Sequence, residues 1–270
     1  MANSGKPTAE GSIGILQTFA TFLRRLIFRI LAVGPIPLHV AFIMDGNRRY
    51  AKKNNMAEGE GHESGFSSLM SILKHCYELG VKYVTVYAFS IDNFRRKPEE
   101  VRQLMDLMQE KIESLLEEES LVNQYGVRVY FIGDLQLLNN SVRSAAERLM
   151  EKTRGNSNFT LMVCVAYTST DEIAHAVREA CGGREKRGIT VEGIEREMYM
   201  AVAPDPDVMI RSSGEMRLSN FLLWQTARCC LYSPMALWPE IGFRHLVFAV
   251  LIFQRSFAYL EKMKMKEKQL

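Results

Sequence analysis

Short apolar runs alternate with amphipathic segments along most of this sequence. The runs predict buried β-strands at residues 40–44, 83–89, 127–132, 159–166 and 208–210. Apolar residues at helical spacing predict helices at residues 65–79, from Pro98 to 116, and at 140–153, 170–181, 190–201 and 243–262. Strands that alternate with helices indicate an α/β fold: a mainly parallel central sheet with helices on both faces.

The first 34 residues differ from the rest of the chain. Residues 1–11 are small and polar, which predicts a disordered tip. Residues 12–33 have the spacing of an amphipathic helix with a basic side formed by Arg24, Arg25 and Arg29. Three arginines disfavour a membrane-spanning segment, so the pattern favours a helix lying in a membrane interface. A helix that packs on its own domain or on a partner is the alternative. The Pro/Gly turn at 34–37 marks the start of a main domain over residues 35–270.

Composition narrows the classes of function. The chain has 270 residues, enough for one large α/β domain, and its net charge of +3 is too small to indicate nucleic-acid binding. None of its five cysteines forms a C-x-x-C pair, so zinc-binding and thioredoxin-like readings have no support.

Three polar clusters stand directly after predicted strands. They are residues 45–49 (Asp-Gly-Asn-Arg-Arg), 90–96 (Ser-Ile-Asp-Asn-Phe-Arg-Arg) and 211–219 (Arg-Ser-Ser-Gly-Glu-Met-Arg-Leu-Ser). In open α/β sheets, ligands bind at the carboxyl ends of the strands. Arginine forks match phosphate oxygens, and Gly46 and Gly214 would let the backbone approach a ligand closely. The clusters therefore predict a phosphate-binding site.

A metal ion fits the first cluster. Asp45 could hold Mg²⁺ against a diphosphate, because this ion takes few protein ligands and completes its shell with phosphate and water. The sequence has no G-x-x-x-x-G-K-[ST] loop, no G-x-G-x-x-G fingerprint and no pair of D-D-x-x-D segments. These absences disfavour a nucleotide-binding protein. A phosphohydrolase is disfavoured as well, because the sequence has no histidine-metal cluster.

Several long segments resemble motifs of the cis-prenyltransferases, and they occur in the same order as in that family. They are residues 39–49, 61–62, 87–93, 132–134, 210–215, 217–225 and 237–240, within a stretch from about His39 to Phe253. Residues 45–49 and 89–98 look like the eukaryotic dehydrodolichyl diphosphate synthases. Residues 169–172 and 236–242 are similar to the plant members of that branch, including the rubber-type enzymes.

The resemblance implies an activity, and the N-terminal segment predicts a location. Isopentenyl diphosphate would be added to farnesyl diphosphate with Mg²⁺ as cofactor, giving a long-chain cis-polyprenyl diphosphate such as dehydrodolichyl diphosphate. The basic, amphipathic pattern of residues 12–33 would place the enzyme on the cytosolic face of the endoplasmic reticulum membrane. A non-catalytic, membrane-associated subunit of the same fold is the alternative, and retention of Asp45, Asn47 and Arg49 argues against it.

The resemblance also implies a role for each site residue. Catalytic roles fall to Asp45, which would organise the metal, and to Asn47, Arg49, His62 and Asn93. Substrate binding falls to Gly46, Arg48, Ser90, Arg96, Arg211, Arg217 and Ser219, the last three for the diphosphate of isopentenyl diphosphate. Two alternatives stay open: His62 as a helix N-terminal residue without a ligand, and Ser219 as the N-cap of a helix over 220–225.

A growing prenyl chain would need a dry apolar channel. Candidates for its wall are Ala88, Leu104, Met105, Met108, Ile112, Val129 and Phe131. Ordinary core packing is the alternative for each of them.

Two departures from the family pattern predict a partner subunit. Cys230 stands where the self-sufficient homodimers keep an acidic residue, and residues 259–270 contain no Arg-x-Gly tail. We therefore expect a partner similar to the Nogo-B receptor, which brings such a tail. The alternatives are that the sequence is truncated, or that a homodimer completes its active site by another route.

Overall fold

The computed structural model describes residues 9–182 and 189–267. Within this part of the chain, the α-helices are α1 (Ala9–Leu31), α2 (Asn47–Lys53), α3 (Glu58–Leu79), α4 (Pro98–Leu116), α5 (Leu121–Gln124), α6 (Asn140–Lys152), α7 (Ser169–Gly182), α8 (Val191–Arg196) and α9 (Phe243–Glu267). The strands are β1 (His39–Ile43), β2 (Tyr83–Ser90), β3 (Val127–Ile132), β4 (Phe159–Tyr167), β5 (Val208–Arg211) and β6 (Cys230–Tyr232).

The strands form one sheet in the order β3-β4-β2-β1-β5-β6, and every neighbouring pair is parallel. β1 lies between β2 and β5, and all five of its residues are buried. Val40 and Phe42 contribute to the core on one face, whereas Ala41 and Ile43 contribute to the core on the other. A strand covered on both faces needs apolar residues at every position, which explains the continuous apolar runs. The predicted fold class is confirmed.

Most predicted elements occur with shifted ends, the largest shift being that of α3, which begins at Glu58, and three elements, α2, α5 and β6, were not predicted. α2 begins directly at Asn47, inside the first polar cluster, and β6 is a three-residue edge strand with only its first residue buried. The helix predicted at 190–201 is wrong in its second half. α8 ends at Arg196, Met198 is extended, and a separate 3₁₀ turn follows over Tyr199–Val202.

Helix α1 begins three residues earlier than predicted, so residues 9–11 are helical. The rest of the predicted tip, residues 1–8, and the chain end at 268–270 lie outside the described residues. Phe28 and Leu31 are buried, and the Phe28 ring centroid lies 5.2 Å from that of Phe243 in α9. Arg24 Nε lies 3.0 Å from Glu78 Oε2 of α3, so this arginine belongs to the packed side of the helix. The C-terminal half of α1 therefore packs on its own domain.

The same helix leaves a row of large apolar side chains exposed. They are Phe19, Phe22, Leu23, Leu26 and Ile30. Across residues 9–182 and 189–267, no helix combines the length and the apolar character that crossing a membrane requires.

Candidate active site

The sheet brings the three polar clusters together. Ile43, the last residue of β1, is in register with Tyr87 of β2 and with Arg211, the last residue of β5. Asp45 follows β1 by two residues, and Ser90 is the last residue of β2. Since parallel strands end at the same edge of a sheet, the clusters share one site, as the sequence predicts.

The Asp45 carboxylate lies between two guanidinium groups. Arg49 Nη2 donates to Oδ1 at 3.0 Å, and Arg211 Nη2 donates to Oδ2 at 2.9 Å. The Arg211 side chain is only 7% exposed. A buried cation requires a counter-charge, and Asp45 supplies it.

The main chain of Asp45 is held separately. Its carbonyl oxygen accepts from Ser212 Oγ at 2.6 Å, from Ser213 Oγ at 2.8 Å and from Trp238 N at 2.9 Å. Its N–H donates to Ser212 Oγ at 2.9 Å. A peptide held by so many partners fixes the direction of the Asp45 side chain. No pattern in the sequence predicts this set of contacts.

Gly46 makes the turn between β1 and α2. Its φ is +116°, and a Cβ there would lie 2.7 Å from Ser213 Oγ. Both observations require glycine at this position, because side-chain-bearing residues rarely adopt this φ. The structure thus gives Gly46 a backbone function, and its contact with substrate stays a prediction.

Glu100 links the first cluster to the second. It lies at the start of α4, where Arg96 Nη1 donates to its Oε1 at 2.8 Å and Arg48 Nη1 lies 3.6 Å from the same oxygen. The sequence pattern does not single out Glu100, because a glutamate after Pro98 is already explained as an ordinary helix N-terminal residue.

Ser90 and Asn93 bond to each other in a capping arrangement. Ser90 N donates to Asn93 Oδ1 at 3.0 Å, and Asp92 N donates to Ser90 Oγ at 3.1 Å. These bonds shape the 3₁₀ turn Ile91–Arg95 that follows β2. The substrate roles that the resemblance implies for both residues remain predictions.

The third cluster surrounds Arg211. Its Nη1 donates to Ser219 Oγ at 2.7 Å and to the carbonyl oxygen of Arg217. The Arg217 guanidinium is largely exposed and pairs with Glu215, whose Oε1 lies 4.0 Å from Arg49 Nη1. The alternative reading of Ser219 as a helix N-cap is wrong. Residues 220–225 form turns, and Ser219 itself has a φ of +51°.

An apolar cavity of about 160 Å³ adjoins the first cluster. Among the predicted channel residues, those that line it are Ala88, Leu104, Met108, Ile112 and Phe131. Met105 and Val129 are buried but absent from its wall, so the alternative of core packing holds for both. The polar residues of the wall are Asn47, His62 and Lys111. The structure thus joins the polar site to an apolar space.

Two buried polar atoms of the site have no hydrogen-bond partner in the described part of the chain. They are Asn47 Oδ1 and Arg211 Nε. A buried polar atom left without a partner costs free energy, so both atoms are suited to a ligand with donors and acceptors.

The site residues fit Mg²⁺ only if phosphate supplies most of its ligands. Within residues 9–182 and 189–267, no three His, Cys, Asp or Glu side chains are grouped so that they could hold a metal. Asp45 offers one carboxylate among arginines that attract a diphosphate. This donor set suits Mg²⁺, which commonly combines one or two carboxylates with phosphate oxygens and water.

Comparison with known proteins decides the family. A family model described as putative undecaprenyl diphosphate synthase matches residues 43–258. The chain belongs to the cis-prenyltransferase family. It is 55% identical over 276 residues to dehydrodolichyl diphosphate synthase CPT3 of Solanum lycopersicum, covering 93% of this chain and 95% of that protein. It is 42% identical over 258 residues to the human dehydrodolichyl diphosphate synthase complex subunit DHDDS, covering 94% and 75% respectively.

A solved structure agrees with the fold of this cis-prenyltransferase. The crystal structure of lavandulyl diphosphate synthase from Lavandula x intermedia, in complex with dimethylallyl diphosphate, matches with a TM-score of 0.75 and 29% identity. The match covers 81% of this chain and 95% of that chain.

Cys230 opens β6, directly beside Val208 of β5. It is 9% exposed, and burial raises the pKa of its thiol. A neutral thiol is a poor ligand for a hard cation such as Mg²⁺. The position therefore offers this cis-prenyltransferase no metal-binding carboxylate.

Proposed function

We propose that this chain catalyses the Mg²⁺-dependent addition of isopentenyl diphosphate units to farnesyl diphosphate, forming a long-chain cis-polyprenyl diphosphate such as dehydrodolichyl diphosphate. The observation that carries the proposal is the Asp45–Arg211 pair, 2.9 Å apart, beside an apolar cavity. A charged head-group site next to an apolar space suits a substrate with a diphosphate head and a hydrocarbon tail.

In each step, a bond forms between C1 of the allylic substrate and C4 of isopentenyl diphosphate, while diphosphate and one proton leave. Negative charge develops on the departing diphosphate as its C–O bond breaks. Arg48 and Arg49 would neutralise that charge, since preorganised cations stabilise a transition state that gains charge. When bound beside Asp45, Mg²⁺ supplies further neutralisation of the diphosphate oxygens.

The diphosphate of isopentenyl diphosphate is assigned to Arg211, Arg217 and Ser219. Arg211 has a buried Nε free of protein partners among the described residues, and the Arg217 fork is exposed. Exchange of the Arg217–Glu215 ion pair for a phosphate contact costs little, because exposed pairs contribute little stability. The new C=C bonds and methyl groups of the product would enter the apolar cavity, where burial of hydrocarbon is favourable.

The test is replacement of Asp45 by alanine. Incorporation of radiolabelled isopentenyl diphosphate should fall by roughly a hundredfold or more, as is common when a key electrostatic group is removed. Asp106→Ala is the matched control, because Asp106 is an exposed acid on α4 outside the site. Near-normal turnover by a folded Asp45→Ala protein would contradict the assigned role.

We also propose that a second subunit completes the site. Two observations support this: a relative that is named a complex subunit, and the thiol of Cys230 in place of a carboxylate. Turnover at saturating substrate should be low for the chain alone and rise when a Nogo-B receptor-like partner ending in Arg-x-Gly is added. Full activity alone, unchanged by the partner, would refute the proposal. A complex that stays active with Asp45→Ala would instead show that this chain is the non-catalytic subunit.

The proposed location is the cytosolic face of the endoplasmic reticulum membrane. The exposed apolar row on α1, from Phe19 to Ile30, supports it together with the exposed Arg25 and Arg29. Apolar and basic side chains on one helix are typical of binding to an anionic membrane surface.

A further inference from the structure

The segment that follows the third cluster has an unusual backbone. Ser219, Asn220 and Leu222 have φ values of +51°, +58° and +48°. Residues other than glycine adopt this left-handed region at a cost in free energy, and asparagine tolerates it best. Such a backbone persists only where surrounding contacts hold it, and such segments cluster at functional sites.

The first turn of α7 supplies those contacts. Ser169 N donates to the carbonyl oxygen of Asn220 at 2.8 Å, and Leu223 N donates to Ser169 Oγ at 2.8 Å. The Asn220 side chain is held as well: its Oδ1 accepts from Thr170 N at 3.1 Å and from Thr170 Oγ1 at 2.9 Å. Ser169 and Leu222 are both fully buried, which shields the Ser169 contacts from water, whereas the two Asn220–Thr170 bonds lie at the exposed side of the segment.

The anchored segment determines where Arg211 points. Ser219 Oγ, the neighbour of Asn220, accepts from Arg211 Nη1 at 2.7 Å, and the Arg217 carbonyl oxygen accepts from the same nitrogen. The other terminal nitrogen of Arg211 is fixed by Asp45. A guanidinium held at both ends keeps its unpartnered Nε in one direction. A shift of Ser219 would release one end and let the guanidinium rotate.

We propose that Asn220 is a positioning residue for isopentenyl diphosphate: its side-chain oxygen, held by Thr170 on α7, keeps Ser219 and Arg211 oriented toward the diphosphate. Asn220 does not itself need to touch the substrate. This inference rests on the proposed function, because it assumes that Arg211 and Ser219 bind that diphosphate.

The test compares one replacement that removes the side-chain oxygen of Asn220 with one that keeps an oxygen at the same place. Asn220→Ala removes the acceptor that Thr170 holds, whereas Asn220→Asp keeps an oxygen there. Asn220→Ala should raise the KM for isopentenyl diphosphate by up to roughly tenfold, the upper end of what loss of one hydrogen bond between neutral groups costs. The KM for farnesyl diphosphate should stay within about twofold of the wild-type value, because Asn220 holds only the residues assigned to isopentenyl diphosphate. Asn220→Asp should restore the wild-type value, and Asn158→Ala, at an exposed asparagine away from the site, should have no effect.

A purely structural role for Asn220 predicts different results. Equal rises in both KM values, an unchanged KM in Asn220→Ala, or failure of Asn220→Asp to restore the wild-type value would each overturn the proposal. If Asn220→Ala does not fold, as judged by its thermal melting curve, Thr170→Val decides the question. It removes only the hydroxyl donor, and a selective but smaller rise in KM supports the proposal, whereas no selective rise overturns it.

Ser219→Ala separates this inference from the proposed function. If Ser219→Ala raises the KM for isopentenyl diphosphate and Asn220→Ala does not, only the positioning role fails. If the wild type, alone and with a partner subunit, incorporates no isopentenyl diphosphate, the proposed function fails and this inference fails with it.

Discussion

Replacement of Arg211 by lysine tests the isopentenyl diphosphate site most sharply. The Arg211 fork reaches three acceptors in different directions: Asp45 Oδ2 at 2.9 Å, Ser219 Oγ at 2.7 Å and the Arg217 carbonyl oxygen. A lysine ammonium retains the charge but cannot span Asp45 and Ser219 with one planar group. Loss of one such charge-assisted bond costs about 1.5–3 kcal/mol, which corresponds to roughly 10- to 150-fold in affinity.

The assay is a pair of steady-state measurements, each with the other substrate saturating. Arg211→Lys should raise the KM for isopentenyl diphosphate by that factor and leave the KM for farnesyl diphosphate within about threefold, because the two diphosphates bind different arginines. Arg148→Lys is the matched control, since Arg148 is exposed on α6 and pairs only loosely with Glu113, at 3.6 Å. An equal rise in both KM values would refute the assignment of Arg211, and so would a rise for farnesyl diphosphate alone.

Three further predictions concern stability, product length and location. Burial lowers the pKa of His39 from 6.5 to about 4, so the unfolded chain binds more protons between these values and stability falls as the pH falls through this window. The loss is roughly 2 kcal/mol between pH 7 and pH 5, and denaturant unfolding of His39→Gln should show a weaker pH dependence than the wild type. Met108→Trp should fill the cavity and shorten the products on reversed-phase chromatography, and unchanged product length would remove Met108 from the channel. The double variant Arg25→Glu, Arg29→Glu should weaken binding to anionic vesicles. If the wild type binds no vesicles, the exposed side of α1 is a protein-contact surface. Arg24 is left unchanged because its ion pair with Glu78 holds the helix.

The sheet could be predicted from the sequence, because the requirement for apolar residues in a buried strand is local. Each strand that is covered on both faces must be apolar throughout, and a charge such as Asp45 or Arg211 can follow only where the strand leaves the core. Parallel pairing then brings those ends to one edge. The position of the site therefore follows from the pattern alone.

The contacts within the site could not be predicted, because they join distant parts of the chain. The Trp238 N–H, in the segment after β6, donates to the Asp45 carbonyl oxygen after β1, and Glu100 Oε1 lies close to arginines of two clusters. Residue types do not specify such pairings. The alternative of a helix after Ser219 is wrong for a related reason: Phe221 and Leu222 are apolar because they are buried against the sheet, and the left-handed backbone there prevents a helix.

The structure of the product tests the proposed cis-prenyltransferase activity directly. The chain, alone and with an Arg-x-Gly partner, is incubated with farnesyl diphosphate, ¹³C-labelled isopentenyl diphosphate and Mg²⁺, and the polyprenyl products are examined by NMR. A cis-prenyltransferase site at Asp45 and Arg211 predicts products longer than farnesyl diphosphate in which every newly formed double bond is cis. New double bonds that are trans, or no elongation under either condition, would show that the proposed activity is wrong.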